Sequence, residues 1–356
     1  MQITMASAEA LTMNILNARL VPSLISSPGI GKSALAKSIA AKHNMKLIDI
    51  RLSQMDPSDL NGFPFLQRAL NQDGTEAPAK AGYVPMDIFP IETDSLPLDA
   101  NGNVMAGWLV LLDEFNSAPL SVQAAAYKVI LDRMVGMYKM HPKCHVISAG
   151  NLSTDKAIVN RVGTAMQSRL IWLEIKVCVK AWKKWADNNN IDHRIKSFIN
   201  FKPDAIHKFD PNHNEHTFPC PRTWEFLSKI VSLLPGTEIP IDKLPLLAGT
   251  IGEGMGREFW AFTKVYKKIP TIQQIIDHPM AVSLSRDPSL QHAMAGLIAH
   301  HMSLDNVADL MKFVNRLEID FQGIVLRAAI AKDTRMLDSQ AVKAWVKKHA
   351  QELARY

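Results

Sequence analysis

Along the first half of the chain, short unbroken apolar runs alternate with stretches of helical spacing. Residues 9–19 carry a helical pattern, and Val21-Pro22-Ser23-Leu24-Ile25-Ser26 reads as a short buried strand. A glycine-containing turn leads into residues 33–43, which are rich in helix-forming types, and residues 46–52 alternate towards a second strand. Residues 108–112 form a third strand with no polar interruption, as expected when both faces of a sheet are covered. A helix is predicted over 121–134, a fourth strand over 145–149 and a fifth over 170–177. This strand–turn–helix order predicts an α/β fold with a parallel five-stranded sheet flanked by helices.

Two regions break the rhythm. Residues 54–107 hold many prolines and glycines with little periodicity, and so long an irregular stretch inside a compact domain is usually functional. Beyond about residue 179 strand signals fade and helical patterns dominate, punctuated by Pro203, Pro211, Pro219 and Pro221. The expected organisation is an α/β core over 1–178 that contains the irregular segment 54–107, a smaller α-helical domain over 179–270, and further C-terminal helices over 271–356 that match no recognisable pattern.

The length of 356 residues suits two or three domains. Apolar residues at 47% and charged residues at 21% fit a globular protein rather than a disordered one. No apolar run reaches the roughly 18 residues of a membrane span, and Met1-Gln2-Ile3-Thr4-Met5 lacks the basic start of a signal peptide. The three cysteines, Cys144, Cys178 and Cys220, show no paired spacing, which points to a reducing, cytoplasmic setting. The net charge of +6 permits nucleic-acid contact, but the cations are spread along the chain. The densest run, Lys180 to Lys184, is interrupted by Trp182 and followed by Trp185, and reads as a solvated helix face.

Candidate chemistry begins at Ser26-Ser27-Pro28-Gly29-Ile30-Gly31-Lys32-Ser33, between a strand and a helix. It fits a phosphate-binding loop except that Ser26 stands where the pattern has its first glycine, a change tolerated if the backbone there avoids positive φ. Over Ser27, Pro28, Gly29, Ile30, Gly31, Lys32, Ser33 and Ala34 the backbone N–H groups, which Pro28 alone lacks, would cradle phosphates; Lys32 would reach the β- and γ-phosphates, and the Ser33 hydroxyl would hold Mg²⁺. The run Leu109-Val110-Leu111-Leu112-Asp113-Glu114 is a buried strand ending in two carboxylates. Asp113 would join the Mg²⁺ shell, and Glu114 would polarise an attacking water. Asn151, at the end of the fourth strand, could orient that water. Arg169 and Arg222 are candidates to stabilise charge on a transferring phosphoryl group, with Arg161 a weaker competitor.

Together these parts resemble the MoxR branch of the AAA+ ATPases. The matching strings are Ser27 to Ser33, Ser58-Asp59-Leu60-Asn61-Gly62, Asp113-Glu114-Phe115-Asn116-Ser117-Ala118-Pro119, Val122-Gln123-Ala124-Ala125-Ala126, Ala149-Gly150-Asn151 and Pro221-Arg222-Thr223-Trp224. The resemblance spans about residues 20–270. It implies a magnesium-dependent ATP-hydrolysing ring, usually a hexamer, with nucleotide between subunits. By position, Asn151 matches sensor 1, Arg169 the arginine finger acting on the neighbouring subunit, and Arg222 sensor 2 on the lid. The insert over 54–107 would face the ring pore. Such proteins remodel or mature a partner, often one with a von Willebrand factor A-like domain, and Gly252 to Pro270 resembles a subgroup with such partners.

Rival readings are a nucleic-acid motor or loader and a nucleotide-gated module without turnover. No helix-turn-helix or aromatic–basic stripe supports the first, and the Asp113–Glu114 pair argues against the second. His207, His213, His216 and Cys220 lack a standard zinc spacing. The 17 methionines and the Trp182/Trp185 pair read as core packing.

Overall fold

A computed structural model of the chain describes residues 2–67, 79–155, 160, 162–212, 214–236 and 238–349. Arg161 and His213 lie outside the described residues. The chain forms two compact units, Met1–Val177 and Cys178–Tyr356.

The first unit is an α/β fold, a parallel sheet flanked by helices. In chain order its elements are β1 (Gln2–Ile3), α1 (Met5–Asn17), β2 (Val21–Ser26), α2 (Lys32–Lys42), β3 (Met45–Arg51), α3 (Pro57–Asn61), β4 (Phe63–Gln67), β5 (Lys80–Val84), β6 (Gly107–Asp113), α4 (Leu120–Leu131), β7 (Met134–Val135), β8 (Tyr138–Lys139), β9 (Cys144–Asn151), α5 (Thr164–Gln167) and β10 (Leu170–Ile175). The sheet order is β1-β10-β2-β9-β6-β3, with all neighbours parallel. The five expected strands are therefore present, and the two-residue β1 adds a sixth at the edge beside β10.

The unbroken apolar run of β6 is explained by its position. Trp108, Val110 and Leu112 enter one core, with Val122, Ala126 and Val129 of α4. Leu109 and Leu111 enter the other, with Leu16 of α1 and Leu35 and Ile39 of α2. Because side chains alternate across a strand, both faces must be apolar when helices cover both.

Two local expectations change. The helix predicted over 121–134 stops at Leu131, because Arg133 (φ 53°) and Gly136 (φ 57°) turn the chain into the antiparallel pair β7–β8. The region 54–107 is not wholly irregular, since α3 and the antiparallel hairpin β4–β5 lie within it. That hairpin exposes Phe63, Phe65, Leu66, Tyr83 and Val84. Its strands are apolar on both faces, so the polar alternation that marks a half-buried strand is missing.

The second unit is helical: α6 (Val179–Asn188), α7 (His193–Phe201), α8 (Pro221–Val231), α9 (Leu244–Ile251), α10 (Glu253–Thr263), α11 (Ile272–Asp277), α12 (Pro288–His301), α13 (Val307–Val314), α14 (Ile319–Lys332) and α15 (Gln340–Lys348). Phe198, Trp224, Phe259 and Phe262 make an aromatic centre, with ring centroids 5.3–5.7 Å apart. Trp224 also donates from Nε1 to the Ala205 carbonyl at 2.8 Å, so its polar atom is satisfied while its ring is fully buried. The helices beyond residue 271 join this unit, with α12 packed on α7 and α14 packed on α6 and α12. No helix among the described residues is long and apolar enough to cross a membrane.

Candidate functional site

The phosphate-loop candidate links the end of β2 to the start of α2. Gly29 (φ 76°) and Gly31 (φ 114°) both adopt positive φ, which residues with a Cβ rarely do, so both glycines are required by the backbone path. Ser26 ends β2 in ordinary strand pairing with Asn151, without positive φ. A serine is therefore tolerated where the pattern has its first glycine. Helix α2 starts at Lys32 after Gly31, which makes no side-chain cap bond, and a helix N-terminus of this kind suits an anion. Ser27, Pro28 and Ile30 line the half-buried turn, Gly29 is buried, and Ala34 is exposed on the first turn of α2.

Three strand ends meet here because β9 lies between β2 and β6. Lys32 is buried, and its Nζ donates to Ser26 O (3.2 Å), Ser26 Oγ (3.0 Å) and Asn151 Oδ1 (3.1 Å). Ser33 Oγ donates to Asp113 Oδ2 at 2.7 Å. A hydroxyl and a carboxylate at this separation are hard oxygen donors of the kind Mg²⁺ takes, so the pair fits the ion. Burial, and then the Asp113 carboxylate, push the Asp49 carboxyl above its usual range, with Glu114 adding to the effect and Arg51 and Lys37 opposing it. This end of the sheet thus concentrates negative charge next to the Lys32 loop, a setting that favours a bound cation.

Glu114 leaves the sheet in a left-handed conformation (φ 56°), and its N–H donates to Asp113 Oδ1 at 2.8 Å. Its carboxylate accepts a short hydrogen bond from Ser53 Oγ, in the turn after β3. Ser53 was not among the residues expected at the site. It lies 61 positions from Glu114, and no motif marks it.

The two arginines lie on different units. Arg169 is exposed, and its Nη1 donates to Ala165 O at 2.8 Å. It precedes β10, where Leu170 pairs with Val21 and Glu174 with Ile25. Arg169 therefore sits at the opposite end of the sheet from the loop after Ser26, on the order of 20 Å away along the strands at about 3.3 Å per residue. Arg222 is exposed in the first turn of α8, in the second unit.

No family model matches the chain, and no curated protein matches it. Among solved structures, a mutant of Thermotoga maritima RuvB aligns over 86% of this chain and 84% of its own, at 14% identity and a TM-score of 0.38. A putative ATPase from Cytophaga hutchinsonii aligns over 97% of this chain and 88% of its own, at 12% identity and a TM-score of 0.33. At these values the likenesses stand beside the topology and the site geometry without adding weight to either.

Proposed function

We propose that the protein is a magnesium-dependent ATPase of the AAA+ class and MoxR-like kind, acting as a ring that remodels or activates a protein partner. The observation that carries this reading is the meeting of Lys32 with Asn151 at 3.1 Å and of Ser33 with Asp113 at 2.7 Å, at the ends of three adjacent strands. Chance Gly-Lys-Ser turns do not come with a water-orienting amide and a paired hydroxyl–carboxylate.

In this reading Gly29, Gly31 and the first turn of α2 bind phosphate oxygens, and Lys32 holds the β- and γ-phosphates. Ser33 and Asp113 hold Mg²⁺, which when bound neutralises phosphate charge. Glu114 takes the proton of the attacking water, and Asn151 orients that water. Arg169 is too far along the sheet to serve the loop of its own chain. The distance supports its assignment as a finger for a neighbour's nucleotide, and with it a ring, expected to be hexameric. For Arg222 the sensor 2 role rests on the Pro221-Arg222-Thr223-Trp224 string alone. A partner with a von Willebrand factor A-like domain follows from the same resemblance.

The test is ATP turnover against protein concentration for wild type, Glu114→Gln and Arg169→Ala, with light scattering in parallel. Turnover should rise cooperatively as the protein assembles. It should fall at least ~100-fold in each variant, the scale of losing one transition-state contact, while Arg169→Ala still binds nucleotide. Concentration-independent turnover that ignores Arg169 would replace the ring with a monomeric ATPase.

A further inference from the structure

Strand β9 is longer than its neighbour β6 at the end that carries the site. The last register pair between them is Leu112 with Ser148, and the chain then turns out of the sheet at Glu114. On its other side β9 stays paired with β2 as far as Asn151 and Ser26. The main chain of Asn151 on the β6 side therefore has no strand to bond. Its partner is the side chain of Asn116, which is 5% exposed. Asn116 Oδ1 accepts from Asn151 N at 3.0 Å, and Asn116 Nδ2 donates to Asn151 O at 2.7 Å. One side-chain amide thus takes the place of a missing strand. The backbone groups also decide which end of the amide is which, since an N–H must face the oxygen and a carbonyl the NH₂.

Two neighbours complete the clamp. Gly150 leaves the space it needs: a Cβ there would lie 2.5 Å from Asn116 Oδ1. Asn160, in the segment leading towards α5, donates from its backbone N to Asn116 O at 2.6 Å and from Nδ2 to Ala118 O at 2.8 Å. Asn116 itself is held between the turn after Glu114 and this segment.

We infer that Asn116 is a positioning residue that fixes the main chain of Asn151, and so aims the Asn151 amide at Lys32 and the phosphate site. The inference rests on the ATPase reading above. Asn116 lies two residues after Glu114, so the same turn that presents the general base also sets the water-orienting amide. Asparagine is specified by the geometry. Aspartate can accept from Asn151 N but, ionised, cannot donate to Asn151 O. Glutamine is one methylene longer, and alanine bonds neither group.

The experiment measures steady-state ATP turnover and nucleotide affinity for wild type, Asn116→Ala, Asn116→Asp, Gly150→Ala and the Asn116→Ala/Gly150→Ala double variant, between about pH 4.5 and 9, a range that approaches the ordinary aspartate pKa of about 3.9. Asn116→Ala should keep nucleotide affinity within about threefold and lose tenfold or more in kcat, the pattern of a contact that matters for the transition state rather than for binding. Turnover of Asn116→Asp relative to wild type should climb as pH falls, because a protonated carboxyl can again donate to Asn151 O; a purely structural role gives no such profile. Gly150→Ala should mimic Asn116→Ala, and the double variant should be no worse than Asn116→Ala, because the two atoms within 3 Å of that Cβ, Asn116 Oδ1 and Cγ, are gone and only the flexible end of Ile25 remains, at 3.1 Å. Wild-type turnover in Asn116→Ala, a reduced Asn116→Asp ratio that stays flat with pH, or losses that multiply in the double variant would each overturn the inference while leaving the ATPase reading intact. A wild type that does not hydrolyse ATP would remove both.

Discussion

Lys32 donates to the carbonyl and hydroxyl of Ser26 and to the amide oxygen of Asn151, so a phosphate oxygen reaching this ammonium must replace one of them. The Ser26 hydroxyl, which also donates to Ser27 O at 3.0 Å, is the acceptor that a glycine at this position would not supply. Such a hydrogen bond contributes about 0.5–1.5 kcal/mol net, which corresponds to roughly 2–12-fold in affinity. Ser26→Ala removes the competitor without adding backbone freedom, so calorimetric titration should show Mg-nucleotide bound tighter by about that factor. Weaker binding in the variant would mean that Ser26 Oγ helps hold Lys32 with phosphate in place. At the same scale, Ser53 shows how a site residue escapes detection. A lone serine in a turn carries no signal, and only the approach of β3 to β6 brings its hydroxyl to Glu114.

At the scale of elements, the junction of α7, α12 and α14 holds a histidine in an aromatic setting. His292 of α12 lies 6.1 Å from the ring of Phe201 on α7 and 4.9 Å from that of Phe321 on α14. Burial, aided by the Lys183 cation, pushes its pKa down from 6.5 to about 4. His193 on α7 is pushed down to about 3, chiefly by burial and partly by His300, against the pull of the Asp192 carboxylate. In both cases the folded form binds fewer protons than the unfolded chain between its own lowered pKa and 6.5. The stability these groups contribute is therefore complete above about pH 6.5 and is lost as pH falls through that window towards 4. Denaturant midpoints of the second unit should drop from pH 7 to 5, and His292→Phe should flatten the drop without removing it, because His193 remains. An unchanged pH slope in His292→Phe would show that the His292 imidazole takes up its proton in the fold as it does in the unfolded chain.

At the scale of the molecule, the two units, Met1–Val177 and Cys178–Tyr356, each have their own core. Proteins built this way often depart from a single unfolding transition. Scanning calorimetry of Glu114→Gln, which should bind ATP without consuming it, is expected to show two transitions. Saturating Mg-ATP at about 100 times Kd adds about 2.7 kcal/mol to whatever binds it, or roughly 5–10 °C for a unit of this size. That shift should fall on the unit containing Lys32. One transition that moves as a whole would mean that the units unfold together. The exposed apolar hairpin β4–β5 belongs to the same scale. A two-stranded ribbon with Phe63, Leu66 and Tyr83 at its surface is marginal by itself.

Local chemistry wrote part of this protein directly into its sequence. The pair Gly29 and Gly31 declares a positive-φ turn, the apolar run 109–112 declares a strand covered on both faces, and Asp113–Glu114 declares where that strand meets solvent. Each of these depends on residues a few positions apart, so pattern alone carries it. Tertiary structure decided what pairs with what. The order that puts β9 between β2 and β6, the grip of Asn116 on Asn151 across 35 positions, the reach of Ser53 to Glu114 across 61 and the packing of α12 and α14 on the earlier helices all depend on long-range contacts. An asparagine or a serine has the same local signature in a loop as in a site, because its hydrogen-bonding partners are chosen by the fold and not by its neighbours in the chain.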